Sequence, residues 1–198
     1  MDVTRTQATS LRREAILEAA LECFNDHGYD ATTIGDIVRK SGTSVGSIYH
    51  HFGDKRGVAA EIYASALEDF IEGAVAILDR DLTTEQTVRE GVAYHLRWVE
   101  SHPAEACFLF VEREADVRRE AKPAVRRLNQ RLFRRVFDWL AEARAAGDLR
   151  EVPDQIAITL WIGPCQEIAR MWLTRSTATR LTDAAGPLAE GAWRALRP

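Results

Sequence analysis

The chain has 198 residues, enough for one or two domains with a buried core. Apolar residues make up 46% and charged residues 28%, which excludes a disordered chain, and a net charge of −4 excludes a protein that coats nucleic acid through bulk charge. Cys23, Cys107 and Cys165 are odd in number and lack C-x-x-C spacing, which fits small buried residues in a reducing cytosol better than a redox switch. No apolar leader and no apolar run of bilayer length appear, so a cytoplasmic protein without a membrane partner is expected.

In chain order, residues 1–10 are polar and are expected to form a mobile tail, with Arg5 as a candidate phosphate or minor-groove contact and an inert tail as the favoured reading. Ile16, Ala19, Ala20, Cys23 and Phe24 follow the spacing of a helix face, which predicts a helix over 11–27 ended by Gly28. Thr33 and Asp36 form a T-x-x-D capping box ahead of Ile34, Ile37 and Val38. Gly42 stands where a left-handed C-terminal residue belongs, and Ser44 can cap the next helix two residues later. Ile48 and Phe52 make that helix's inner face. Asp54 can cap a long helix over 55–78, whose apolar stripe is unbroken from Ala59 to Leu78. Two short helices joined by a glycine-containing turn form a helix-turn-helix arrangement. Its second helix would enter the DNA major groove with Ser44, Val45, Gly46, Ser47, Tyr49, His50 and His51 on or beside its outer face. Lys55, at a helix start, is a candidate phosphate contact. An ordinary corner between two helices is the plainer alternative.

The stretch G-T-S-V-G-S-I-Y-H-H-F-x-D-K resembles the signature of the TetR family of bacterial transcription regulators. The likeness extends upstream through ILEAALECFNDHGYDATTIGDIV and covers about residues 11 to 70. The resemblance implies DNA contacts at Thr33, Ser47, Tyr49, His50 and Lys55. Gly35, Thr43 and Val45 depart from the residues common in the family. The resemblance also implies a helix-turn-helix DNA-binding domain over 1–56 and a ligand-binding and dimerisation domain over 57–198, which dimerises through its last two long helices.

The rest of the chain reads as helices over about 84–101, 104–111, 123–146, 153–173 and 183–196, with no strand pattern. The expected fold is all-α, with about nine helices. Residues 1–56 hold seven Lys/Arg against eight Asp/Glu, but Arg39, Lys40, Lys55 and Arg56 leave the helix-turn-helix surface open to a local positive balance. Nine basic residues between Arg113 and Arg135 alternate with Glu112, Glu114, Asp116 and Glu120, which fits a solvated ion-paired helix face better than a second nucleic-acid surface.

Pro164 interrupts the helix over 153–173, which predicts a kink. Trp161, Cys165, Ile168 and Trp172 share one of its faces and are candidate pocket residues with Phe70, Trp98 and Phe108; plain core is the alternative. Leu188, Ala192, Trp193 and Leu196 form the apolar face of the last helix and are candidate dimer contacts. His50 and His51 point about 100° apart on a helix and cannot easily share a metal ion, so no metal is expected. The absence of G-x-S-x-G, H-E-x-x-H and phosphate-binding glycine motifs argues against an enzyme and against a cofactor. The expected function is regulation of transcription: a repressor, or less favoured an activator, that binds palindromic double-stranded operator DNA as a homodimer. A small apolar or aromatic effector releases it. The alternative from another class is an all-α ligand carrier or enzyme whose N-terminal corner is only structural.

Overall fold

The computed structural model describes residues 3–111 and 121–198. Those residues form nine α-helices and no strand: α1 (Val3–His27), α2 (Ile34–Ser41), α3 (Val45–Phe52), α4 (Lys55–Leu78), α5 (Thr84–Ser101), α6 (Pro103–Phe110), α7 (Lys122–Ala145), α8 (Asp154–Leu173) and α9 (Leu181–Leu196). The all-α expectation is borne out.

The first helix starts eight residues earlier than the apolar pattern indicates. Residues 3–10 contain neither proline nor glycine, and once packed turns nucleate a helix, each added residue gains a hydrogen bond at little further cost. The mobile-tail expectation is therefore corrected for residues 3–10. The Arg5 side chain, and the acidic and basic residues over 112–120, lie outside the described residues.

The local signals that start and stop α2 and α3 operate as read. The Thr33 hydroxyl accepts from the Asp36 amide at 3.2 Å, and Asp36 Oδ2 accepts from the Thr33 amide at 2.9 Å. Gly42 ends α2 at φ 67°, a left-handed conformation that costs glycine no steric penalty, and its N–H reaches the Val38 carbonyl. Ser44 Oγ accepts from the Ser47 amide at 3.1 Å to start α3. Asp54 does the same for α4 through the Gly57 amide at 2.9 Å, the bond that does most to hold its carboxyl below the usual range.

Two apolar clusters follow from these elements. The first joins Ile16, Ala20 and Phe24 of α1, Ile37 of α2, Ile48 of α3, and Val58, Ala59 and Ile62 of α4. Phe108 of α6 completes it, stacked on Phe24 with ring centroids 5.7 Å apart. Burial of each large apolar side chain stabilises this unit by about 1.5–3 kcal/mol. The second cluster is centred on α5, whose Val88, Val92, Leu96 and Val99 are fully buried. Leu181, Ala189, Ala192 and Leu196 of α9 pack into it, as do Ala157, Trp161, Cys165 and Ala169 of α8.

This packing corrects part of the expected dimer face. Ala192 and Leu196 are buried within the chain, and Leu188 and Trp193 are half-buried against the same cluster. The apolar stripe of the last helix has its partner in α5, reinforced by an Arg89–Glu190 ion pair at 2.6 Å. α4 runs through both clusters and so connects them.

A candidate nucleic-acid interface and an apolar cavity

α3 is held from below by Ile48, which is fully buried, and presents Val45, Gly46, Tyr49 and His50 outward. Val45 is 49% and Tyr49 55% exposed, unusual for large apolar or aromatic side chains on a chain whose core is well filled. Ser44 and Ser47 line a shallow depression together with Leu11 and Arg12 of α1. Arg12 is exposed there and adds a cation beside the start of α3, a contribution the sequence reading missed. Its position was not visible in the sequence because it depends on how α1 lies beside the turn between α2 and α3. The hydroxyl of Thr33 is engaged in the α2 cap. His51 is half-buried beside Phe52.

The cations of this region are engaged more fully than a count of charges suggests. Lys40 pairs with Glu22 at 2.6 Å and Asp26 at 3.4 Å, Arg39 pairs with Asp36, and Arg56 pairs with Asp54 at 2.9 Å. Lys55 is the clearest correction. Its Nζ donates to the carbonyls of Tyr29 at 2.7 Å, Thr32 at 2.8 Å and Asp30 at 3.3 Å, and lies 4.4 Å from the Tyr29 ring centroid. An ammonium has three N–H donors, and all three are taken. Lys55 ties the α1–α2 loop to the start of α4 instead of facing a phosphate.

The second cluster encloses a cavity of about 200 Å³ between α4, α5, α7 and α8. Phe70 and Ala74 form the α4 wall, and Gly91, Tyr94 and His95 the α5 wall. Leu132, Phe133 and Val136 close it from α7, and Ile158, Trp161, Ile162 and Gln166 from α8. Gly91 is required for this shape, since a Cβ there would stand 2.7 Å from Trp161 Cζ2. The Trp161 indole donates to the Val88 carbonyl at 2.9 Å and faces Trp139 with centroids 4.9 Å apart. Phe133 is 42% exposed and Gln166 is exposed, so these residues mark the mouth. His95 lies at the deep end, 2% exposed, between the rings of Phe70 and Phe110 at centroid distances of 5.3 and 5.7 Å. Burial pushes its imidazole pKa down to about 4.

Of the expected pocket residues, Phe70 and Trp161 line this cavity. Trp98 touches Phe70 but turns its indole N–H to Asp69 Oδ2 at 2.7 Å and stacks on His102. Phe108 belongs to the first cluster, against Phe24. Cys165 is fully buried in the helix packing, and burial pushes its thiol pKa up to about 12. Ile168 and Trp172 are half-buried against the core and do not reach the cavity. The residue missed here is His95. It stands three residues after Val92 and four before Val99, in register with the buried stripe of α5, and that register was readable.

The described residues therefore form a helix-turn-helix unit joined through one long helix to a second helical body with a cavity. In sequence, residues 16–62 match the model of bacterial regulatory proteins, tetR family. The HTH-type transcriptional repressor AcnR of Corynebacterium diphtheriae is 34% identical over 94 residues, 48% of this chain and 47% of the relative. The HTH-type transcriptional repressor KstR2 of Rhodococcus jostii is 32% identical over 104 residues, 52% of this chain and 51% of that one. The chain thus spans about half the length of the curated relatives it matches. In fold, the fatty acid degradation regulator FadR of Bacillus halodurans superposes with a TM-score of 0.77 at 18% identity, over 93% of this chain and 99% of its own. FadR of Bacillus subtilis, solved in complex with stearoyl-CoA, gives 0.77 at 17%, over 90% and 96%. The resemblance to the TetR family read from residues 11–70 is borne out. Among the described residues no helix is long and apolar enough to cross a membrane, and no group of three or more His, Cys, Asp or Glu side chains converges as a metal site.

Proposed function

We propose that the chain is a cytoplasmic, sequence-specific transcriptional regulator without catalytic activity. In this reading it is a repressor that binds palindromic operator DNA as a homodimer and leaves it when a small apolar or aromatic molecule occupies the cavity. The reading divides the chain into a DNA-binding part over 1–56 and a ligand-binding and dimerisation part over 57–198. The observation that carries it is α3, capped at Ser44, seated on Ile48, and exposing Val45, Tyr49 and His50. Small residues at its N-terminus allow close approach to base edges, and the Tyr and His side chains supply hydrogen bonds. The repressor names of the matched relatives support the same reading, and the stearoyl-CoA held by the B. subtilis neighbour supports an apolar occupant.

A dimer with two-fold symmetry would set two α3 helices roughly 34–36 Å apart, or a multiple of that, along one face of DNA. The surfaces available for that dimer are the outer faces of α8 and α9, with Ile156 at 50% exposure and Gly186, Pro187 and Gly191 exposed. Gel-shift titration with the DNA flanking the protein's own gene tests the proposal. Specific retardation that competitor DNA of unrelated sequence does not abolish is expected. Equal binding to all sequences, or none, overturns it in favour of a ligand carrier or enzyme.

A further inference from the structure

The cavity wall is apolar with few polar atoms, and those atoms are not equivalent. Tyr94 Oη donates to the Phe70 carbonyl at 2.9 Å, and the Trp161 indole is bonded to the Val88 carbonyl. Gln166 stands at the exposed mouth. His95 is different. It is 2% exposed, it lines the cavity, and neither Nδ1 nor Nε2 has a hydrogen-bond partner among the described residues. Buried polar groups are almost always paired, because an unpaired one forfeits its hydration without compensation. A buried imidazole that lines a cavity and lacks a partner is therefore a group that a ligand can complete.

We propose that His95 is the polar anchor of this cavity, and that the ligand is an uncharged, mainly apolar molecule that presents one hydroxyl group to the imidazole. This rests on the reading of the cavity as the effector site. The hydroxyl follows from the chemistry of the ring. A neutral imidazole has one N–H donor and one bare nitrogen, and a hydroxyl serves either, donating to the bare nitrogen or accepting from the N–H. The absence of charge follows from the wall. The lining holds no Lys, Arg, Asp or Glu. Asp69, next to Phe70 on α4, is engaged with Trp98. A carboxylate would be buried against an apolar wall with no cation to offset its charge, because burial keeps His95 neutral. A cationic amine would have no carboxylate to meet. The rings of Phe70 and Trp161, which line the cavity with the imidazole, fit an aromatic or alicyclic body next to the hydroxyl.

Three probes that share a propylphenyl group test this by calorimetry at pH 7.5 on the full chain: 4-propylphenol, propylbenzene and 4-propylbenzoate. The phenol is expected to bind about tenfold more tightly than the hydrocarbon, the size of one net buried hydrogen bond, and the benzoate least. In His95→Phe the phenol should fall to the affinity of propylbenzene, whose own affinity should stay within about twofold. Equal affinities in the wild-type protein, a preference for the phenol that survives in His95→Phe, or tightest binding of the benzoate overturns the assignment while leaving the cavity a ligand site. Failure of all three probes to bind overturns the cavity reading and the anchor with it. Nitrogen-15 spectra of the wild-type histidines give a second readout that does not depend on the variant folding. 4-Propylphenol should move the His95 ring resonances and propylbenzene should move them far less; identical spectra with the two compounds overturn the proposal.

Discussion

The ammonium of Lys55 carries the loop between α1 and α2, so its deletion is a stability experiment before it is a DNA-binding one. Lys55→Ala removes donors from three carbonyls and leaves those at Tyr29 and Thr32 partly buried. A loss of about 1–3 kcal/mol is expected in urea denaturation, on the scale of hydrogen bonds to a charged group. The salt slope of DNA binding by the folded variant should match the wild type, whereas loss of a phosphate contact would lower it by about one unit. Sequence alone shows the lysine at a helix start but not the three carbonyls, which come from a loop more than twenty residues away. His95 gives the second prediction at this scale. Its folded pKa, about 4, lies below an unfolded value of about 6.5, so acid favours the unfolded chain. Above about pH 6.5 the group is neutral in both states and contributes nothing to the slope. As pH falls from about 6.5 to 4, up to about 3 kcal/mol of stability is lost, and His95→Phe should remove that loss from a pH series of denaturation midpoints. The carboxyls of Asp36 and Asp54, held low mainly by bonds from Thr33 and Gly57, lose their contribution only at lower pH. An unchanged slope between pH 6.5 and 4 in the variant would show that His95 is not the group responsible.

At the scale of the element, α2, α3 and the start of α4 were the most legible part of the chain. Their boundaries rest on local chemistry: Thr33 with Asp36, Gly42, Ser44 and Asp54 each act within three or four residues of themselves. Thr33→Ala should cost about 1 kcal/mol, the usual value of an N-cap, and should lower the thermal midpoint without changing the affinity of the folded protein for the phenol in the cavity. A wild-type midpoint would mean that the Asp36 half of the box suffices. The less legible features are those in which two elements choose each other. The periodicity of α8 shows that Trp161, Cys165, Ile168 and Trp172 share a side, but not that only Trp161 reaches the cavity while Cys165 fills the packing. Phe108 reads as apolar in either cluster, and only the position of α6 beside α1 sends it to Phe24. The stripe on α9 likewise reads as unpartnered until α5 is laid against it. For that reason the dimer is better tested on the opposite side of α9. Gly191→Arg, at an exposed position, should give a folded monomer by light scattering and sedimentation. A dimer of unchanged mass would move the interface off this face.

At the scale of the whole molecule, one helix touches both proposed sites. α4 begins at the Asp54 cap directly after α3, gives Val58, Ala59 and Ile62 to the N-terminal cluster, and ends with Phe70, Ala74, Ile77 and Leu78 in the cavity wall. At about 1.5 Å rise per residue, α4 is roughly 35 Å long and offers a continuous path from the cavity wall to the N-terminal cluster. Solvent-exposed ion pairs of Asp79 with Arg135 and of Glu72 with Arg131 bridge that half to α7, the opposite wall, each of them weak because water and salt screen it. An occupant that separates α4 from α7 would therefore shift α3 as well. Such an occupant lowers DNA affinity only if it binds the conformation unsuited to DNA more tightly. Coupling of this kind is typically about 1–3 kcal/mol, a rise of roughly 5- to 150-fold in the DNA dissociation constant, and DNA must weaken ligand binding by the same factor. Ala74→Phe tests the arrangement. Ala74 lines the cavity from α4, so a phenyl group there fills the space an effector would occupy, with no change at α3. The variant is expected to bind operator DNA with wild-type affinity, to lose binding of 4-propylphenol by calorimetry, and to stay on the operator when that compound is added. Release from the operator at the wild-type ligand concentration would mean that the coupling runs through another site. Loss of DNA binding without ligand would mean that the phenyl group has itself pushed α4 into the released position, the coupling in its permanently switched form.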